Sequence, residues 1–291
     1  MRKKIEIKAA AKINMSLSVG SPDASFSMMH PIASVMTTVD FCDDLSVTRL
    51  DEGDMSRYAI LWHEDAPHKT PIDWPITSDL AVRAHRHLEA KVGKTLPVQL
   101  KLDKRIPIGA GLGGGSSDAA AMLRAIVALF DLDVDLQTIA PAIGSDVPFL
   151  LDGGTQLVSG FGEKLELLED VDLAIVMILP PYGCATGEVY DAFDDLSEGY
   201  LDIERARNGD IFNDLTSAAK ASTEQLAIDM EQVHKIAETE VHLSGSGSSM
   251  FVICDNPTHA KVLALAIEEK TGLVAITTQT FVPTKELEKT E

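Results

Sequence analysis

The stretch Ile106-Pro-Ile-Gly-Ala-Gly-Leu-Gly-Gly-Gly-Ser-Ser-Asp-Ala-Ala-Ala121 places five glycines in the seven residues from Gly109 to Gly115. Such density costs much backbone entropy on folding, and it suits a chain that must take positive φ and let a ligand approach its N–H groups. The next segment, Ser117 to Phe130, is rich in alanine and carries apolar residues at 122, 123, 126, 127, 129 and 130, the spacing of a helix. The glycines therefore open into a helix N-terminus, where unpaired amides and the macrodipole favour an anion. Ser116 and Ser117 add hydroxyls suited to phosphate or a magnesium ion. No Lys-Ser/Thr follows the glycines, so this is not a P-loop, and a Gly-x-Gly-x-x-Gly drawn from 109 or 111 is a weak match in so dense a run. A plain linker is the competing reading. The helix that follows at once argues against it.

Working outward, Ile5 to Ala9, Ile13 to Val19 and Leu45 to Leu50 read as strands, and residues 51–76, rich in Asp, Pro and Gly, as a loop. Ser78 is placed to cap a helix through Leu88 that ends near Gly93, and Val98 to Leu102 alternates as a strand. A short helix is expected over Leu136 to Ile143, then a strand-like Phe149 to Leu151. Leu173 to Leu179, closed by Pro180-Pro181, is a continuous apolar run and reads as a buried strand. Helices are expected around Phe212 to Ala221, Glu224 to Glu238 and Pro257 to Lys270. Strands are expected at Val241 to Leu243, Met250 to Cys254 and Val274 to Thr278. The mixture predicts an α+β protein, divided into residues 1–160 and 161–291.

The 291 residues carry 25 basic and 45 acidic side chains, a formal charge of −20, so nucleic acid and anionic membranes are poor partners. One small nucleotide is not excluded, because distant charge is screened beyond roughly 8–10 Å. Cys42, Cys184 and Cys254 are odd in number and scattered, which suits a reducing cytoplasm. Met1-Arg-Lys-Lys opens like a signal peptide, but Glu6 and Lys8 interrupt any apolar run. Residues 285–291 are charged, and disorder is expected there.

Gly144-Ser-Asp-Val-Pro148 sets a carboxylate, Asp146, after an expected helix end. Taken alone it is a turn or cap residue as readily as a base, and Lys12 a solvated strand lysine. Paired, they would form a base kept ionised by a neighbouring ammonium. Ser244-Gly-Ser-Gly-Ser-Ser249 reads either as a hairpin turn or as a second backbone approach to phosphate. The acidic residues at 191, 194, 195, 198 and 202 read as a solvated face.

Three motifs occur in order: Ala11-Lys-Ile-Asn-Met-Ser-Leu17, the glycine-rich segment, and Leu243-Ser-Gly-Ser-Gly-Ser-Ser-Met-Phe251. Together they resemble the GHMP kinase superfamily over nearly the whole chain. Gly144 to Phe149, Asn213-Asp214 and the Asp79 to Ala84 stretch are most similar to the kinases of 4-diphosphocytidyl-2-C-methyl-D-erythritol in isoprenoid precursor biosynthesis. The resemblance implies a ribosomal S5 domain 2-like N-terminal domain and a ferredoxin-like C-terminal one. It implies transfer of the ATP γ-phosphate, with Mg2+, to an acceptor hydroxyl. Lys12 and Asp146 take the catalytic roles, and the triphosphate lies on Pro107, Gly109, Ala110, Gly111, Leu112, Gly113, Gly114, Gly115, Ser116 and Ser117, with Ser116 as the magnesium contact. Asn14, His30, Thr186, Tyr190, Ser244 and Gly245 contact the acceptor. The family's Gly-Tyr-His element is replaced by Phe26-Ser-Met-Met-His30, which leaves Met29 at the tyrosine position. A kinase of the same fold acting on homoserine, mevalonate or a sugar, and a non-catalytic nucleotide-binding protein, are the alternatives. ATP and a small alcohol are the implied partners of a monomer or homodimer.

Overall fold

The structure is a computed structural model describing residues 3–284, 287 and 289–290. Strand β1 (Lys4–Asn14) alternates Ile5, Ile7 and Ala9 inward with Glu6 and Lys8 outward, and from Ala10 onward it is buried on both faces. β2 (Ser16–Val19) follows, then β3 (Ile32–Arg49), an 18-residue strand that serves as the spine of the first sheet. β4 (Arg57–Trp62), helix α1 (Leu80–Val92), β5 (Val98–Lys104), α2 (Gly114–Phe130), α3 (Val147–Asp152), β6 (Thr155–Gly160) and β7 (Lys164–Leu167) complete this half. β1 and β2 pair antiparallel along one edge of β3, and β5 and β6 along the other. α1 and α2 cover one face, burying Leu88, Met122, Leu123 and Ile126 against Ile5, Val47 and Leu100.

The second half contains β8 (Ala174–Leu179), α4 (Thr186–Leu196), α5 (Ile203–Arg207), β9 (Phe212–Asn213), α6 (Thr216–Ser222), α7 (Glu224–Ala237), β10 (His242–Leu243), β11 (Met250–Cys254), α8 (Pro257–Thr271), β12 (Val274–Gln279) and β13 (Lys289–Thr290). Its antiparallel sheet runs β10-β11-β8-β12. The apolar run in β8 has a simple cause. Val176 and Ile178 join the helix-covered core, whereas Ile175, Met177 and Leu179 pack on the other face with Ala11, Ile13, Ile106 and Leu112. A strand buried on both sides has no polar face to alternate.

Several expectations are corrected. Residues 51–76 are not all loop: Arg57–Trp62 forms β4, which pairs parallel with β5 at the sheet edge. The α1 cap is Asp79, whose carboxylate accepts the Ala81 N–H at 2.9 Å, one residue after Ser78. Leu136 to Ile143 forms two 3-10 turns, Leu136–Thr138 and Ala140–Ala142, rather than one helix, with Pro141 inside the second. Phe149 to Leu151 is helical, because Pro148 sits in the first turn of α3, where its missing N–H costs nothing. Phe212-Asn213 is extended and pairs parallel with β2. Within the expected disordered tail, Lys289–Thr290 pairs with Lys4-Ile5, while positions 285, 286, 288 and 291 lie outside the described residues, as do Met1 and Arg2 of the amino terminus. The expected boundary at 160 coincides with the end of β6; the first sheet continues through β7, and the second begins at Ala174.

Phe251 is fully buried between the second sheet and the glycine-rich segment. Phe251→Ala should lower unfolding free energy by about 3–5 kcal/mol. Urea denaturation measures this, and a loss below about 1 kcal/mol would mean the two halves do not pack through this ring.

Candidate active site

Gly109, Gly111 and Gly113 take φ of 66°, 77° and 68°, while the intervening Ala110 and Leu112 point into the core beneath. The loop carbonyls are held from below: Lys12 N–H donates to Leu112 O at 3.0 Å, Ser249 N–H to Ala110 O at 3.1 Å, and the Ser244 hydroxyl to Gly111 O at 2.9 Å. A side chain at 111 would place its Cβ 2.1 Å from the Ser244 carbonyl oxygen, so only glycine fits. α2 starts from Gly113 with no side-chain cap and no acidic residue in its first turn. Its first amides are left to an external acceptor. Ser117 is not available in that way. Its hydroxyl donates to Ala10 O at 2.7 Å and its N–H to Gly113 O at 2.8 Å. Pro107 has no N–H and begins the loop.

Lys12 and Asn14, two apart on β1, share one face. Lys12 is 4% exposed; its Nζ donates to Asn14 Oδ1 at 2.7 Å and lies 3.9 Å from Asp146 Oδ2. Asn14 is turned by its own bond from Nδ2 to Ser34 Oγ at 2.8 Å. Burial pulls the Lys12 ammonium below its ordinary 10.5, and the Asp146 charge partly offsets that fall. Asp146 occupies the cap position of α3, yet its side chain makes no cap bond. The carboxylate faces Lys12 instead, across a gap that a hydroxyl oxygen can bridge. Burial, with the Asp146 charge behind it, pushes the Tyr190 phenol up to about 12, so it stays protonated beside the carboxylate.

The third motif closes the cleft. A Cβ on Gly245 would sit 3.3 Å from Lys12 Nζ. Asn213 Nδ2 donates to Leu243 O and Gly245 O at 2.9 and 2.8 Å, which explains why Asn213 must be extended. Asp214 accepts the Val19 N–H at 3.0 Å, tying β2 to the same corner. The Thr186 and Ser246 hydroxyls lie 3.0 Å apart. His30 and Tyr190 meet with ring centroids 4.9 Å apart, and Asp194, expected on a solvated face, lies 3.6 Å from His30 Nε2. A cavity of about 380 Å³ is walled by Phe26, Met29 and Phe161 together with Ser145 and Pro148, which stand close to Asp146 in the chain. The rings of Phe26 and Phe161 are 4.5 Å apart, and Met29 is 48% exposed. The sequence gives no role to Phe26 within its element, nor to Phe161, Asp43 or Lys104; their partners are distant in the chain, and no local spacing marks them.

The model of the GHMP kinase N-terminal domain matches residues 79–154. The 4-diphosphocytidyl-2-C-methyl-D-erythritol kinase of Exiguobacterium sibiricum is 33% identical over 89% of this chain and 92% of its own length. Its counterpart from Clostridium beijerinckii is 30% identical over 94% and 99%. A crystal structure of 4-(cytidine 5'-diphospho)-2C-methyl-D-erythritol kinase superposes with a TM-score of 0.76 at 30% identity, covering 95% and 99% of the two chains. Homoserine kinase from Cytophaga hutchinsonii shares the fold, with a TM-score of 0.64 at 16% identity, covering 99% of this chain and 97% of its own.

A lysine whose native pKa is lowered loses its proton at a lower pH than it does in the unfolded chain. Folding stability from this group therefore rises as pH climbs toward 10.5, while any reaction needing the ammonium declines. The kcat/KM profile should fall on its alkaline side below 10.5, and Lys12→Arg should abolish that limb. A wild-type profile flat to 10.5 contradicts a charged Lys12 in the reaction.

Proposed function

This chain belongs to the GHMP kinases, within the family of 4-diphosphocytidyl-2-C-methyl-D-erythritol kinases, and from that premise we propose how its residues divide the reaction. The enzyme transfers the γ-phosphate of ATP to a hydroxyl of the cytidylylated methylerythritol, in isoprenoid precursor biosynthesis. The observation that carries the assignment of roles is the Asp146 carboxylate, free of capping duty and 3.9 Å from the buried Lys12 ammonium. Asp146 accepts the proton of the acceptor hydroxyl, whose oxygen bonds the γ-phosphorus as the bond to the β,γ-bridging oxygen breaks and ADP leaves. Lys12, oriented by Asn14, draws charge off the entering oxygen. The amides of Gly114, Gly115 and Ser116 receive the triphosphate. Mg2+ would neutralise charge on that triphosphate, with the Ser116 hydroxyl, a hard oxygen at the helix N-terminus, as its protein contact.

On the acceptor side, Asn14 is held by Lys12 and Ser34, so its part is chiefly to orient Lys12. Thr186 is exposed and Gly245 sits against Lys12, and both are open to the acceptor; Ser244 is fully buried with its hydroxyl given to Gly111 O, so its part is to hold the loop instead. The flat base lies between the His30–Tyr190 pair and the recess of Met29 and Phe161, where the second wall is phenylalanine and methionine instead of tyrosine. Support comes from position: Ser145 and Pro148 line that recess and flank Asp146 in the chain. The homoserine and mevalonate alternatives rest on fold likeness at 16% and 12% identity. Three free, buried cysteines suit a reducing cytoplasm. Among the described residues no helix is long and apolar enough to cross a membrane. Lys12, Asp146 and the loop come from one chain, so a monomer or a homodimer serves equally.

Lys12→Ala and Asp146→Asn should each lower kcat by about 10²–10⁴-fold while ATP binding persists. Turnover close to wild type in both folded variants, in a coupled ADP-release assay, sinks the assignment. Phe161→Ala should raise the acceptor KM by about 3- to 10-fold with the ATP KM unchanged. An unaltered acceptor KM would remove Phe161 from the base site.

A further inference from the structure

We propose that a buried cluster of Asp43, Lys104 and Asp118 is a positioning device for the nucleotide: it ties the start of the glycine loop to the helix at its end and so sets the spacing of the phosphate-binding amides. The inference rests on the reading that the triphosphate binds this loop.

Lys104, the last residue of β5, donates from Nζ to Asp43 Oδ2 at 2.6 Å and to Asp118 Oδ2 at 2.5 Å. Asp43, on β3, is 0% exposed, and its other oxygen accepts the N–H groups of Arg105 and of Ile106, the latter at 2.8 Å. Asp118 lies in the second turn of α2. One cluster thus holds the backbone immediately before Pro107 and the helix immediately after Gly113. The two ends also touch, since a Cβ on Gly114 would meet Ile106 Cγ2 at 2.8 Å.

Stability alone is a poor reason for this arrangement. Burying three ionisable groups carries a desolvation penalty of several kcal/mol per ion, and an apolar trio of similar volume would hold the core as well. Among the described residues Asp118 Oδ1 has no hydrogen-bond partner, so packing alone does not explain the cluster. What charged bonds offer over packing is direction and a narrow range of length. A loop with three positive-φ glycines has much freedom to lose, and two fixed ends remove part of it before ATP arrives. Burial also holds the Asp118 carboxyl well above the ordinary carboxylate range, against the pull of Lys104.

The test compares Asp118→Ala with Asp118→Asn in the full chain, by calorimetric binding of a non-hydrolysable ATP analogue and by both KM values. Asp118→Ala should weaken nucleotide binding and raise the ATP KM by about 10-fold, with the acceptor KM unchanged, because only the loop loses register. Asp118→Asn, which keeps the shape and an oxygen for Lys104, should remain within about 3-fold of wild type. If Asp118→Ala does not fold, Lys104→Gln carries the same expectation. Loss of thermal stability with both KM values unchanged would show a merely structural cluster and overturn the proposal, as would equal rises in both. Wild-type protein that fails to bind the analogue would instead overturn the nucleotide reading on which the proposal stands.

Discussion

The structure turns on a contact between two backbones with no side chain between them. Gly111 lies against Ser244, and the Ser244 hydroxyl returns a hydrogen bond to the Gly111 carbonyl across 133 residues of sequence. Any Cβ at 111 would force the two motifs apart. Because they meet, the Lys12 stem is trapped under Gly113, and Gly245 closes over its ammonium. The anion site, the lysine and the carboxylate thereby come within reach of one another, and the two sheets share the apolar layer of Ile13, Ile106, Met177 and Phe251.

In a protein of net charge −20, the amides at the start of α2 remain suited to an anion because they are neutral donors whose dipoles act locally. Among the described residues the two buried lysines, Lys12 and Lys104, are each matched to carboxylates, yet they respond differently. At Lys12 burial wins and the pKa falls. At Lys104 burial also pulls downward, but Asp118 and Asp43 at bonding distance outweigh it and the pKa rises. Distance decides between the two outcomes: 3.9 Å to Asp146 in one case, 2.5 and 2.6 Å to two carboxylates in the other. A loosely paired lysine remains responsive to a bound alcohol, whereas a tightly paired one is a fixture.

The acceptor side follows a different logic. Kinases of homoserine and mevalonate share this fold at 16% and 12% identity, so the fold leaves the acceptor open. In the proposed assignment the acceptor is met by residues 21–31, the β6–β7 turn and α4. Phe26 and Phe161 come from two of these segments and stack only because Gly162 allows the turn to press on the Ser145 carbonyl, where a Cβ would lie 2.3 Å away.

The linear pattern determined what depends on near neighbours. Glycine density followed by helical spacing marked the loop and α2, and the uninterrupted apolar run of β8 marked a strand covered on both sides. Lys12 and Asn14, two apart on a strand, were bound to share a face. Where rival local forms differ little in energy, packing chose: Pro148 allowed α3 to begin where a strand was expected, and pairing with β2 and β5 made strands of Phe212-Asn213 and Arg57–Trp62. Only the tertiary structure could assemble Asp43, Lys104 and Asp118, or set Phe161 against Phe26. Such contacts join residues whose separation leaves no period in the chain, and their energy exists only after the backbone has closed around them.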